Sequence, residues 1–320
     1  MGTQSEGRLP DFFLVGHAKS GTTALYESLR KHPQIFMPDS KEPWYFAEEL
    51  LERTPPRPGG TPQTLAEYSS WFAGAGSEQR AGEASALYLW SRTAPGRIAA
   101  ACPHARIVAI FREPAAFLRS LHMQFLQTYV ETESDLRAAL ALEPARRRGE
   151  QIPRHTYWPK ALLYSDHVRY VEQLERYREH FAEEQMLSLV YDDFRADNEA
   201  TVRRVLAFLE VDDSVQIAVG EANPSVRVRS QRLNEVVHGV SVGHGPLSRA
   251  AKAGVKALTP QRLRRRALHG AQQRLVYAPP APADEQLMRE LRLRYRHEVQ
   301  ALGEYMGRDL VTLWGYGDLD

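Results

Sequence analysis

Apolar residues along this chain fall into two alternating patterns, short unbroken runs and longer stretches at helical spacing. Asp11–Val15 (DFFLV), Gln34–Met37, Arg106–Phe111 (RIVAIF) and Met186–Val190 are too short for helices and rich in β-branched or aromatic residues, so they predict strands. The first run leads through a Gly/Ser/Thr loop into a predicted helix over Ala24–Lys31. Between Ala161 and Phe181, residues Tyr164, Val168, Val171, Leu174 and Phe181 recur at helical spacing. Val202, Val205, Leu206 and Leu209 form the apolar face of another helix, with Asp197 or Asn198 as its cap. Near the end, Asp284 precedes a helix with Leu287, Leu291, Tyr295, Val299, Leu302 and Tyr305 on one side and Arg on the other, expected to dock on the body. Arg53–Pro62 and Tyr277–Pro282 hold too much Pro and Gly for element interiors and are expected to be loops. Continuous apolar strands alternating with helices predict an α/β fold, a mainly parallel central sheet flanked by helices.

A chain of 320 residues with 43% hydrophobic and 25% charged residues buries a full core, which excludes a disordered or fibrous protein. The expectation is a single domain over residues 1–320, with a flexible N-terminus over 1–10. No apolar run approaches the ~18 residues of a membrane span, and Met1–Pro10 is polar, so neither membrane insertion nor Sec-type export is expected. Cys102 is the single cysteine, which rules out an intrachain disulfide and a multi-cysteine metal cluster and suits a reducing, cytoplasmic setting. The net charge is only +1, yet Gly220–Leu275 carries eleven Lys or Arg against two Glu. Such a segment is a solvated face or an embrace for a polyanionic ligand. Lysines number only six in the whole chain, so one inside a glycine-framed loop is notable.

That loop is Gly16-His17-Ala18-Lys19-Ser20-Gly21-Thr22-Thr23, which has the glycine spacing of a phosphate-binding P-loop between a predicted strand and a predicted helix. Backbone N–H groups in such a turn, and at the helix start behind it, favour an anion. Thr22 occupies the position where a nucleotide kinase has its lysine, whereas Lys19 sits three residues earlier.

The displaced-lysine loop resembles the 5′-phosphosulfate loop of the sulfotransferases that use 3′-phosphoadenosine-5′-phosphosulfate (PAPS). Four further segments are similar to elements of that family, in the family's order. They are Lys41-Glu42-Pro43-Trp44-Tyr45-Phe46; Gly82-Glu83-Ala84-Ser85-Ala86-Leu87-Tyr88, with Ala86 in place of a proline; Phe111-Arg112-Glu113-Pro114 followed by Arg119-Ser120; and Tyr191-Asp192-Asp193-Phe194 followed by Asn198–Thr201. The resemblance spans Pro10 to about Leu209 and implies a P-loop-like nucleotide-binding architecture.

It also implies roles. Gly16, Lys19, Ser20, Gly21, Thr22 and Thr23 would bind the donor's 5′-phosphate, with Lys19 stabilising the leaving phosphate as charge develops on it. Arg112 would follow a strand at the sheet's carboxyl edge and, with Ser120, hold the 3′-phosphate. Glu42 would be the general base, or else an ordinary loop carboxylate, and Pro43 biases it toward an extended conformation. Trp44, Glu83, Tyr88 and His122 are candidates to meet the acceptor; Trp44 alternatively fills core and Glu83 anchors a loop. His17, His122 and His155 are further polar candidates, with His17, His122 and Glu83 the substitutes for Glu42 as base. The basic, loop-rich region 220–282 would cover the nucleotide, shape the acceptor site, or remain solvated surface. PAPS is the expected donor, PAP (adenosine 3′,5′-bisphosphate) its product, and no metal is required.

The expected activity is therefore sulfuryl transfer to a hydroxyl or amine of a carbohydrate or other small metabolite, with no nucleic-acid or membrane partner. A P-loop small-molecule kinase is the alternative, disfavoured by Thr22. A non-enzymatic nucleic-acid binder working through Gly220–Leu275 is a second, disfavoured by the near-zero net charge.

Overall fold

Phe12–Gly16 (β1) is buried along its whole length because it lies at the centre of a sheet covered on both faces. The protein, seen in a computed structural model, is described over residues 7–50, 61–154, 156–217, 282–317 and 319, with the backbone of 227–228 and 277–278. Apart from the backbone of 227–228, the predicted basic region 220–275 lies outside these, as does most of Arg53–Pro62. The chain divides into two compact units. One comprises Met1–Leu118, Tyr164–Asn223 and Gln286–Asp320; the other comprises Arg119–Leu163 and Pro224–Glu285.

The first unit holds the five-stranded sheet. After β1 come the helix Thr22–Leu29 (α1), Ile35–Phe36 (β2), a 3-10 turn at Glu48–Leu50, Leu65–Ser70 (α2), Arg80–Ala84 (β3), Ala94–Ala101 (α3) and Arg106–Phe111 (β4). Pro114–Gln127 (α4) starts in the first unit and ends in the second. The sheet order is β2-β3-β1-β4, then Met186–Val190 (β5), all parallel, with Phe12 opposite both Gly82 and Arg106, and Ile107 opposite Met186. Three of the four predicted strands appear at or within one residue of their predicted limits, and Gln34–Met37 contracts to β2.

β3 was not visible as a strand because its sequence is Arg-Ala-Gly-Glu-Ala. Its small residues answer to a neighbour. A Cβ at Gly82 would stand 2.1 Å from Phe12 Cζ and 2.5 Å from Met37 Sδ, so the aromatic ring of β1 occupies the space a larger β3 residue would need. On one face of the sheet, Phe12, Leu14, Val108 and Ile110 pack with Leu25 and Leu29 of α1 and with Val202, Val205 and Leu206. Those last three belong to Asn198–Phe208, which is capped as expected by the Asp197 side chain accepting from Ala200 N–H at 2.9 Å. On the other face, Phe13 meets the rings of Phe46 and Tyr88 at 5.9 and 6.5 Å.

The helical pattern predicted over Ala161–Phe181 is broken into a 3-10 turn at Pro159–Leu162, a short helix Tyr164–His167 and a longer one at Tyr170–Arg178. The break has a cause. The carbonyls of Asp166 and His167 accept from the Gln173 amide at 3.0 and 3.1 Å instead of continuing one helix. Tyr277–Pro282, expected to be a loop, begins with a two-residue strand: Tyr277–Ala278 pairs antiparallel with Arg227–Val228. Both residues precede the prolines and so keep their N–H groups.

In the second unit, Leu136–Ala141 (α5) is capped by Asp135, and Glu143–Arg147 (α6) supplies Arg146 to a bidentate pair with Glu131, 2.7 and 2.9 Å, in which both side chains are buried. Continuing the numbering in chain order, α7 is Tyr164–His167, α8 Tyr170–Arg178, α9 Tyr191–Ala196, α10 Asn198–Phe208, α11 Glu285–Met306 and α12 Leu310–Leu313. Of the stripe predicted on α11, Leu287, Leu291, Tyr295, Val299 and Leu302 are buried and Tyr305 is half-buried. Among the described residues no helix is long and apolar enough to cross a membrane.

Candidate active site

Each strand of the sheet delivers one candidate segment at its carboxyl end: Gly16–Thr23 after β1, Lys41–Phe46 after β2, Ser85–Tyr88 after β3, Arg112 after β4 and Tyr191 after β5. Because all five strands are parallel, those ends share one edge, the edge where open α/β sheets bind ligands.

The glycine loop is shaped by left-handed backbone at Lys19 (φ 62°) and Gly21 (φ 87°). A Cβ on Gly21 would lie 3.0 Å from the Phe194 ring and 3.1 Å from that of Tyr191, so both conformation and space demand glycine. Arg112 Nη1 donates to the Lys19 carbonyl at 2.9 Å, the Arg112 guanidinium lies 4.9 Å from the Tyr191 ring centre, and the Tyr170 hydroxyl donates to the Arg112 carbonyl at 2.9 Å. Lys19 and Arg112 are half-buried. Burial pulls the Lys19 ammonium below its usual pKa, and the Arg112 charge pulls it further; burial likewise lowers Arg112. Among the described residues, neither cation has a carboxylate within ion-pair distance. Two partly desolvated like charges, with Asp192 and Glu113 acting on Arg112 only from beyond ion-pair distance, make a place for an anion.

The segment after β2 is tied to this loop. Lys41 Nζ donates to Thr23 Oγ1 at 3.1 Å and stands 3.7 Å from Glu42 Oε1. Glu42 Oε2 accepts from the Trp44 indole N–H at 2.8 Å and from Ala86 N–H at 3.1 Å, while Glu42 N–H donates to the Ala84 carbonyl at 3.0 Å. These bonds hold Glu42 at φ 61° and Trp44 at φ 55°, which corrects the extended conformation expected before Pro43. Non-glycine residues in this region carry strain that tends to gather at functional sites.

A family model described as the sulfotransferase family matches residues 10–214. The chain belongs to the sulfotransferase family. It is similar to a crystal structure of a sulfotransferase from Alicyclobacillus acidocaldarius, at 30% identity over 72% of this chain and 91% of that one, with a TM-score of 0.57. It also resembles the membrane-associated sulfotransferase kil1 of Dictyostelium discoideum, at 28% identity over 106 residues, 33% of this chain. The match spans only 21% of that relative's length.

The remaining candidates take unequal places. Ser20 and Thr22 are buried in the loop, and Ser20 Oγ donates to the Ala18 carbonyl at 3.4 Å. A Cβ on Gly16 would strike the Leu89 side chain at 2.6 Å. Trp44 is buried beside Glu42. Ser120 and His122 lie on α4 within the second unit, both buried, and His122 Nε2 donates to the Ser134 carbonyl at 3.2 Å. Burial lowers the His122 pKa. His155 lies outside the described residues.

His17 is the clearest correction. Gln173 uses its amide N–H groups on the Asp166 and His167 carbonyls, so its Oε1 accepts from His17 Nε2 at 2.8 Å and fixes the proton on that nitrogen. Burial, with His167 adding to it, drives His17 to about 3, too weakly basic to replace Glu42 near neutrality. Glu83 and Tyr88 do not reach the surface. Glu83 Oε2 accepts from the hydroxyls of Tyr68 and Tyr88 at 2.8 and 3.0 Å, and the Tyr88 oxygen accepts from Phe46 N–H at 3.2 Å, so the pair supports the Lys41–Phe46 segment from inside. Burial raises the Glu83 carboxyl to about 7. Sequence reasoning assigned no role to Lys41, Tyr191 or Gln173. The first two were in quoted motifs, but nothing local shows that Lys41 reaches Thr23 or that Tyr191 lies against Arg112.

Proposed function

We propose that this sulfotransferase takes PAPS as its donor and passes the sulfuryl group to a hydroxyl or amine of a carbohydrate or other small metabolite. The observation that supports the donor is the half-buried pair Lys19 and Arg112, joined at the glycine loop and, among the described residues, with no carboxylate within ion-pair distance. PAPS supplies an activated sulfuryl group whose leaving group is a phosphate. The N–H groups at the start of α1 and the Thr23 hydroxyl then hold the 5′-phosphate, and the Lys19 ammonium neutralises it as the S–O bond breaks. Arg112 takes the 3′-phosphate, the role its motif carries for it and for Ser120, and its planar fork suits a terminal phosphate. Glu42, oriented through Oε2 by Trp44 and Ala86, accepts the acceptor's proton. No metal enters this scheme. Cys102 is a buried thiol, and we place the protein in the cytoplasm.

Calorimetric titration and turnover test the reading together. PAP should bind without Mg²⁺ and more tightly than adenosine 5′-phosphosulfate, which lacks the 3′-phosphate. Arg112→Ala should mainly weaken PAP, whereas Lys19→Ala should lower turnover more than PAP affinity, because its charge matters most as the leaving phosphate forms. Equal affinity for the two nucleotides in the wild type would overturn the Arg112 assignment. A requirement for ATP with Mg²⁺ would favour the kinase.

A further inference from the structure

The C-terminal segment after α11 lies beyond the residues that match the family, yet three of its side chains reach the turns that carry Arg112 and Tyr191. The Tyr316 hydroxyl, fully buried, donates to Glu113 Oε1. The Trp314 indole N–H donates to Asp192 Oδ2 at 2.8 Å. Arg308 makes a bidentate pair with Asp193, Nη2 to Oδ1 at 2.7 Å. Each acceptor is within two residues of a nucleotide-site residue: Glu113 follows Arg112, while Asp192 and Asp193 follow Tyr191.

The contacts bear on local backbone. Glu113 is buried and spends its carboxylate on the start of α4, accepting from Ala115 N–H at 3.0 Å and Ala116 N–H at 2.6 Å. Tyr316 adds a third donor to that carboxylate, and Arg292 stands 3.8 Å from it. The turn between β4 and α4 is thereby pinned one residue after Arg112, which holds the Lys19 carbonyl. Asp192 and Asp193 lie in the first turn of α9, so fixing both sets the direction in which Tyr191 leaves β5 and hence the ring on which the Arg112 guanidinium rests.

We propose that Arg308, Trp314 and Tyr316 are positioning residues of the nucleotide site: they brace the β4 and β5 exits so that Arg112 keeps its place against the Lys19 carbonyl and the Tyr191 ring. This rests on the reading of Arg112 as the 3′-phosphate ligand. It makes the C-terminal segment part of donor recognition, and its effect should fall mainly on the 3′-phosphate end, because the glycine loop, though it touches Arg112 and Tyr191, is also held through Thr23 and by its own backbone bonds.

The test uses full-length Tyr316→Phe, which keeps the ring and deletes the bond, Trp314→Phe, which keeps a smaller aromatic ring without the N–H, and Asp192→Ala, which breaks the Trp314 bond from the other side with the indole intact. PAP affinity should fall ~5–20-fold in each, adenosine 5′-phosphosulfate affinity by less than ~2-fold, and KM for PAPS should rise more than kcat falls. In a double-mutant cycle, Tyr316→Phe should add little to the PAP loss of Arg112→Ala, since both act through one guanidinium. The brace is overturned if the variants weaken both nucleotides alike, if they lower the melting temperature with the PAP preference intact, or if the cycle is additive. A wild type with no preference for PAP would instead sink the underlying Arg112 reading, whatever the variants do.

Discussion

At the scale of single residues, Glu42 and Glu83 show how two carboxylates 41 positions apart in the chain are set to different tasks by their surroundings. Glu42 is half-buried, ordered by an indole and an amide, and lies beside Lys41. Glu83 is sealed among tyrosine hydroxyls, and its carboxyl rises to about 7. With Glu42 as the proposed base, Glu42→Gln should cut turnover ~10²–10⁴-fold and leave PAP affinity near wild type. Glu83→Gln should act on stability instead. Below the ordinary glutamate value both folded and unfolded chains hold the proton, so nothing is lost. As pH rises from 4.5 through about 7, the unfolded chain releases a proton that the folded chain still keeps, and stability falls by about 3 kcal/mol in all. Urea midpoints between pH 5 and 8 should therefore drop for the wild type and drop less for Glu83→Gln; parallel slopes would refute the buried-acid assignment.

At the scale of elements, the least conspicuous strand is the one whose sequence is most constrained by a neighbour. Gly82 is needed not by its own backbone but by the Phe12 ring, which is fully buried and has nowhere to move. Gly82→Ala should cost ~1–3 kcal/mol by overpacking, read as a lower thermal midpoint. Phe12→Leu in the same chain should recover part of it. Failure of that rescue would mean that the cost comes from the strand itself. The same neighbour effect explains why β3 carries Glu83 where a buried strand ordinarily carries valine or isoleucine: its Oε2 accepts from Tyr68 and Tyr88, while half-exposed Arg80 at the strand start pairs with Glu210 at 3.2 Å. The helical pattern over Ala161–Phe181 is broken for a related reason, because the buried Gln173 inside it takes the Asp166 and His167 carbonyls, leaving its Oε1 for His17.

At the scale of the whole molecule, the described part of the second unit buries an ion pair beside apolar side chains such as Phe125, Val130, Leu140 and Leu162. Glu131 and Arg146 are buried as a bidentate pair, and Glu131 also accepts from Thr132 and Glu133 N–H groups at 2.8 and 2.9 Å. Glu131→Gln should destabilise by ~3–5 kcal/mol because it strands the Arg146 charge, and joint replacement of both residues by Met and Leu should restore most of the urea midpoint. An unchanged midpoint in the single variant would show that the pair is not held out of water. What the sequence by itself determined was the α/β class, the limits of β4 and β5, β1 to within one residue and a cap at Asp197 or Asn198, because each depends on local periodicity or capping, while the order of the site motifs was legible through their resemblance to a family. Tertiary structure alone decided that Arg112 meets the Lys19 carbonyl, that Lys41 reaches Thr23, that His17 is locked by Gln173, and that Tyr316 reaches Glu113 from 203 residues away. Those contacts join side chains that only the parallel sheet brings to one edge, and no local pattern encodes which distant partner will satisfy a buried polar group.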